Sequence, residues 1–166
     1  MLLTHTYIYS DPPNTGLSVA RQMAMITYRT SHGYHGKFGR NIDPITGIFE
    51  ARKYLEYQGK KFIDRFDPIS YIKITEQMDR HDVGHNRGGI IPALRSIKSR
   101  IMVMGIQSDI LYPLHEQEEL SAHIPKCDFR IIRTMDGHDG FLLEQDQVGE
   151  HLEWFLRVIE NNHSRL

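Results

Sequence analysis

The sequence is poor in cysteine and has no long apolar run. Cys127 is the only cysteine among 166 residues, so a disulfide framework is excluded and a reducing, cytoplasmic location is expected. No stretch approaches the roughly 20 apolar residues of a membrane span. The opening "MLLTHTYIYSDPP" is too short and too polar for a signal peptide. We therefore expect no membrane association.

Neither positive nor negative charge is in excess. The chain has 20 basic and 21 acidic residues, for a net charge of −1. This balance argues against a nucleic-acid partner and against a polybasic membrane-binding surface. The histidine pair His81 and His85 lies in a glycine-containing stretch without an HExxH pattern. Loop residues are the better interpretation, and we expect no metal site.

The nucleophile motif G-x-S-x-G is absent as well. None of the nine serines fits this strand-to-helix turn. Cys127 stands at the start of an apolar run, where a structural role is the simpler interpretation. A nucleophile of the triad type is therefore not recognisable in these residues.

The first part of the chain predicts helices and loops. Residues 1–14 read as an irregular first segment. Helices are expected at 15–30 with Thr15 as cap, at 48–66 with Gly59 as a weak point, from Asp67-Pro68 onward, and at 90–97. The glycine-rich stretches 31–47 and 81–89 read as loops.

The pattern changes near Lys98. Two apolar runs of strand length, 100–106 and 127–135, alternate with helical periods at 114–124 and 145–162. This alternation predicts an open α/β sheet with parallel strands. We thus expect two parts after the first segment, a helical part (15–97) and an α/β part (98–166).

Two polar residues follow the predicted strands. Asp109 comes three residues after the first run, and His138 comes three residues after the second, within "GHDG". Parallel strands would bring both side chains to one sheet edge, where the carboxylate could orient the imidazole as a general base. The alternative is an ordinary turn aspartate and a surface histidine.

Several ordered motifs resemble one family. The stretches "GLSVARQMAMITYRT", "HDVGHNRGG", "IMVMGIQSDILYPLHEQEEL" and "GHDGFLLE" are similar to the C-terminal half of homoserine O-acetyltransferases. This resemblance implies the last strands and helices of an α/β-hydrolase fold, with residues 15–97 as an inserted helical lid. It also implies a homodimer formed through the lid.

The resemblance assigns roles to individual residues. Asp109 in "SDILYP" would be the catalytic aspartate that orients the base, and His138 in "GHDGFL" would be the base. Asp139 would bind the amino group of the substrate. Arg21 and Tyr28, seven positions apart, would line the path of the substrate, with Arg21 pairing with its carboxylate.

The implied reaction is ping-pong transfer of an acetyl group from acetyl-CoA to the hydroxyl of L-homoserine, in methionine biosynthesis. Acetyl-CoA is a co-substrate, and no bound cofactor is implied. The chain departs from the family because the serine, the oxyanion hole and the first strands should precede it. We expect an N-terminal half to be missing and the isolated chain to be inactive.

Other interpretations of the function remain open. A relative could use succinyl-CoA as donor or serine as acceptor, and a hydrolase of the same fold would use water. A catalytically silent fragment that only dimerises through the lid is the remaining alternative.

Overall fold

The computed structural model describes residues 13–163. Helices come first: α1 (Asn14–Thr27), α2 (Ser31–Phe38), α3 (Glu50–Ile63), α4 (Pro68–Asp79) and α5 (Ile90–Arg95). The sheet region follows: β1 (Ile101–Ile106), α6 (Leu114–His123), β2 (Cys127–Ile132), a 3₁₀ turn (Gly137–Asp139), α7 (Gly140–Leu143) and α8 (Gln145–His163). Across the described range, no helix is long and apolar enough to cross a membrane. The irregular segment predicted at 1–14 lies outside this range except for its last two residues, and Asn14 already belongs to α1.

The two strands are parallel, as the apolar runs predicted. Their register places Ile101 opposite Cys127 and Ile106 opposite Ile132. Side chains alternate between the faces of a strand. The face that contains Gly105 lies against α6, because a Cβ on Gly105 would lie 2.6 Å from Leu114. The opposite face lies against α8, so helices cover both sides of the sheet.

One edge of β1 has no neighbouring strand among residues 13–163. The amide of Ile101 donates to Lys126 and that of Gln107 donates to Ile132 O, so the odd-numbered amides of β1 point toward β2. The amides of Met102 and Met104 consequently point away from β2. This edge carries the pairing groups that another strand would use.

The helical region is held together chiefly by the packing of α1 on α3. Gly59, expected to be a weak point of its helix, lies against Ser18 of α1. A Cβ there would lie 2.4 Å from the hydroxyl of Ser18 and 2.8 Å from its carbonyl oxygen. Glycine therefore costs helix propensity but permits the close packing.

The prediction of a loop over 31–47 was wrong for its first part, which forms α2. Thr30 caps this helix by accepting a hydrogen bond from the Gly33 amide at 3.0 Å. The ring of Phe38 is buried and packs 5.1 Å from that of Tyr54 on α3. Capping and tertiary packing thus outweigh the low helix propensity of two glycines.

Two smaller boundaries also differ from prediction. Thr15 does not cap α1, because the helix begins one residue earlier, after Pro13. The second strand ends at Ile132 rather than at residue 135. The reason is that β1 itself ends at Ile106, which lies opposite Ile132. The backbone amide and carbonyl of Arg133 face away from β1 and are both bonded to the Gln147 side chain of α8. The predicted Asp67 cap of α4 is present, with its carboxylate accepting from the Ser70 amide at 2.7 Å.

Candidate active site

Asp109 lies in the turn that follows β1, and its carboxylate is almost fully buried. Oδ1 accepts the backbone amides of Leu111 at 2.8 Å and Tyr112 at 3.1 Å. The side chain is only 4% exposed. These bonds make Asp109 a turn residue, as the alternative interpretation proposed, and they leave Oδ2 free to face the second strand end.

His138 lies in the 3₁₀ turn after β2 and contacts that oxygen. Its Nδ1 is 2.8 Å from Asp109 Oδ2. An ionised aspartate only accepts hydrogen bonds, so Nδ1 carries the proton and donates it. Nε2 is then the nitrogen that can take up a proton, and the ring is 26% exposed. The predicted pairing of the two strand ends is present.

Three aromatic rings surround the imidazole. The ring centroids of Tyr28 and Tyr112 both lie 5.4 Å from that of His138, and the centroid of Phe141 lies at 5.7 Å. Tyr28 follows the C-terminal end of α1 in the helical region, whereas the other two come from the sheet region. The rings restrict rotation of the imidazole and lower the polarity around it.

A cleft of about 430 Å³ opens beside the pair. Asp109 and His138 border it together with apolar side chains of both strands, among them Ile106 and Ile132. Leu120 of α6 and Val148 of α8 also line it, although these helices cover opposite faces of the sheet. The cleft therefore extends around the open edge of β1.

Glycine is required at position 137 by both conformation and space. Its φ is +72°, and a Cβ there would lie 2.9 Å from the carbonyl oxygen of Tyr28. Its amide donates to Ser108 Oγ at 3.0 Å. The glycine thus lets the histidine turn contact the end of α1 and the turn of Asp109 together.

The other residues assigned by resemblance are distributed around this centre. Arg21 places its guanidinium carbon 5.6 Å from the Tyr28 ring and 5.0 Å from the Phe62 ring. Asp139 is buried, and its Oδ2 accepts from Arg29 Nε at 2.9 Å. Tyr28 therefore contacts His138 directly, Arg21 lies beyond Tyr28, and Asp139 is already held by an arginine.

Arg29 is a site residue that sequence reasoning missed. It contacts both Asp136 and Asp139, more than 100 positions away. A basic residue after "TY" carries no local signal for such a contact, so only the three-dimensional structure reveals it.

The cysteine does not belong to this site. Cys127 begins β2, at the opposite end of the strand from His138. Burial raises the pKa of its thiol, which disfavours the nucleophilic thiolate. In the described range, no group of three or more His, Cys, Asp or Glu residues could hold a metal ion.

Solved structures with a similar fold define the class. Homoserine O-acetyltransferase from Bacillus anthracis matches with a TM-score of 0.77 at 17% identity, covering 89% of this chain and 42% of that one. The acetyl esterase MekB matches with a TM-score of 0.66 at 23% identity, over 84% and 41% of the two chains. The chain thus has part of an α/β-hydrolase fold, as expected.

Sequence similarity is more specific, although no family model matches the chain. Homoserine O-acetyltransferase from Salinibacter ruber is 43% identical over 147 residues, 87% of this chain and 42% of the relative. That from Thermobifida fusca is 46% identical over 142 residues, 82% of this chain and 38% of the relative. The predicted resemblance to the C-terminal part of homoserine O-acetyltransferases is confirmed. The chain spans about two fifths of the length of these relatives.

Proposed function

We propose that the chain supplies the base, its orienting acid and the lid of a homoserine O-acetyltransferase, whose nucleophilic serine lies outside these 166 residues. The observation that carries this proposal is the 2.8 Å bond from His138 Nδ1 to the buried Asp109 carboxylate, beside a cleft of about 430 Å³. The similarity to homoserine O-acetyltransferases supports the choice of reaction.

The first half-reaction forms an acyl-enzyme. His138 Nε2 removes the proton of the serine hydroxyl while the serine oxygen attacks the thioester carbonyl of acetyl-CoA. The C–S bond breaks, and the imidazolium returns the proton to the sulfur, so CoA leaves as a thiol. Asp109 stabilises the imidazolium between these two proton transfers and keeps the ring in one tautomer.

The second half-reaction uses the same groups. His138 Nε2 takes the proton of the homoserine hydroxyl, whose oxygen attacks the acetyl ester. The bond to the serine oxygen breaks, and the imidazolium returns the proton to that oxygen. O-acetyl-homoserine leaves, and the serine hydroxyl is restored.

The helical region would recognise the amino acid. Arg21 is a cation next to the Tyr28 ring, and Tyr28 contacts the histidine ring, which suits a carboxylate bound a few ångströms from the reacting hydroxyl. Because Arg29 holds Oδ2 of Asp139, the substrate ammonium would bind Oδ1 of that residue.

The serine-bearing part would complete the sheet. The open edge of β1 provides backbone groups for a further parallel strand, and Leu152 and Leu156 of α8 are exposed. A second association, the homodimer, would use the lid. Apolar residues there are exposed on α1 and α4: Val19, Met23, Ile26, Ile72, Ile74 and Met78. Sedimentation of the isolated chain tests the homodimer, which a stable monomer would contradict, and sedimentation of the mixture with the serine-bearing part tests the completed sheet.

A hydrolase is the second candidate, because some of the similar structures are esterases. Water needs no clamp for an amino and a carboxyl group, so the Arg21, Tyr28 and Asp139 set favours the transferase. A different donor, succinyl-CoA, or acceptor, serine, would preserve the dyad and change only the substrates.

The test is thiol release from acetyl-CoA in the presence of L-homoserine. The 166-residue chain would be assayed alone and mixed with the part of the Salinibacter ruber relative that it does not match. We expect activity only in the mixture and its loss with His138→Ala. Acetate formation without homoserine would instead indicate a hydrolase. Turnover by the chain alone, or none in a mixture shown to associate, would refute the proposal.

A further inference from the structure

Arg29 links the helical region to the histidine turn through two charged contacts. Its Nε donates to Asp139 Oδ2 at 2.9 Å, and its Nη1 donates to Asp136 Oδ1 at 2.9 Å. The arginine side chain is only 14% exposed. The two aspartates lie on either side of Gly137 and His138, so one guanidinium holds both ends of the turn that carries the base.

Neighbouring hydrogen bonds also join the helical region to the histidine turn. The Asp139 amide donates to the carbonyl of Tyr28 at 3.2 Å, and the Thr30 hydroxyl donates to the carbonyl of Met135. Residues 28–30, between α1 and α2, therefore lie along the whole turn at 135–139. Arg29 supplies the charged part of this contact.

The charges explain why the contact matters for the base. Asp109, Asp136 and Asp139 bring carboxylates close to one short turn, and like charges repel each other. Arg29 neutralises the two that lie in the turn itself. Without it, Asp136 and Asp139 would repel each other, and the turn would lose its attachment to the lid.

We propose that Arg29 is a positioning residue, which keeps His138 in register with Asp109 by clamping Asp136 and Asp139 to the first lid helix. Lid position and the geometry of the base are thereby coupled. The catalytic consequence rests on the proposed function, but the positioning itself is a property of this chain alone.

A guanidinium suits this task better than an ammonium. Its planar fork reaches two carboxylates with separate N–H groups, whereas lysine is a single point charge. Arg29→Lys should retain one contact and part of the effect. Arg29→Met, with similar length and no charge, should remove both.

The test measures the Nδ1 proton of His138 in the 166-residue chain by NMR. A hydrogen bond to a carboxylate moves this proton strongly downfield, and His138→Ala assigns the signal. Well below the unfolding temperature, we expect Arg29→Met to accelerate its exchange with water by more than about tenfold, because it removes two charge-assisted hydrogen bonds and the loss of one corresponds to roughly that factor. Arg29→Lys should lie between Arg29→Met and the unchanged chain.

Arg52→Met is the matched control, because Arg52 is an exposed arginine paired with Glu56 on the same helix. It should leave the exchange rate unchanged. An unchanged rate in folded Arg29→Met would overturn the proposal. If that variant does not fold, the exchange rate is measured in Arg29→Lys and Asp136→Asn instead. Unchanged exchange in both variants would also overturn the proposal.

A kinetic readout separates positioning from general stability. In the mixture with the serine-bearing part, Arg29→Lys should lower kcat severalfold with little change in KM for acetyl-CoA. An increase in that KM alone would contradict positioning. The exchange of the Nδ1 proton can be measured without turnover. If the Arg29 variants change this exchange as expected but the mixture releases no thiol, the proposed function is refuted and the positioning role of Arg29 stands.

Discussion

The helical region and the sheet region contribute to the site in different ways. The sheet region provides Asp109 and His138, both at the ends of strands whose last residues, Ile106 and Ile132, are buried. The helical region provides Tyr28 and Arg29, which contact the histidine and the turn around it. In the proposed function, the sheet region would carry the proton transfer, and the helical region would orient the histidine and surround it.

The regions also differ in how they bury their apolar surface. α1 and α3 pack against each other, with Leu17, Met25 and Phe62 buried. The sheet has helices on both faces but an open edge on β1. The helical region therefore has a core of its own, whereas the sheet leaves one edge of β1 unpaired among residues 13–163.

The largest expected effect is on the chemistry of the sheet region. Asp109→Asn should lower thiol release by the mixture about 10⁴-fold, the size of the effect in serine triads, because the amide favours the wrong tautomer of the histidine. Steady-state kinetics with acetyl-CoA and L-homoserine would measure it. Asp128→Asn, at the start of β2 and paired with Arg100, is the control and should stay close to the unchanged chain.

The next effect concerns the core beneath the dyad. Ile132 is 1% exposed, and Ile132→Ala should lower the free energy of unfolding by about 3 kcal/mol through the lost burial and the cavity. Urea unfolding of the chain would measure this. Ile45→Ala, at an exposed position of the helical region, should be nearly neutral. Equal losses for the two variants would contradict the described core.

A pair of glycine variants compares the two regions directly. Gly59→Ala should destabilise the chain by roughly 1–3 kcal/mol, because the new methyl group would overlap Ser18. Gly149→Ala in α8 has open space and should stabilise by about 1 kcal/mol through helix propensity. Thermal unfolding would compare both variants. Stabilisation by both would mean that α1 and α3 do not approach as described.

The smallest effect is a pH dependence within the helical region. Burial raises the pKa of Tyr34 from 10.0 to about 12, and its hydroxyl donates to the carbonyl of Met25 at 2.9 Å. The raised pKa means that this contribution is complete below pH 10 and is lost as the pH rises toward 12. The stability difference between the unchanged chain and Tyr34→Phe should therefore shrink over this window in denaturant unfolding. A constant difference would contradict it.

Sequence reasoning succeeded where the signal is local. The runs ending at residues 106 and 135 indicated buried parallel strands, and their spacing from Asp109 and His138 led to the pairing now seen at 2.8 Å. It failed for α2, because two glycines concealed a helix that is held by the Thr30 cap and by packing on α3.

Sequence reasoning also missed the contacts of Arg29 with Asp136 and Asp139, for a different reason. Arg29 contacts residues more than 100 positions away, and charge pairs at such separation leave no pattern in a single sequence. The resemblance placed only the last strands of the sheet in this chain, and the open edge of β1 agrees with that expectation.

The central claim is that His138 activates a serine supplied from outside these residues. Its most direct test is the intact mass of the serine-bearing part after brief exposure to acetyl-CoA without homoserine. We predict one added acetyl group, located on the serine, when the unchanged chain is present and none with His138→Ala. Acetylation to the same extent with His138→Ala, or without the chain, would contradict the claim.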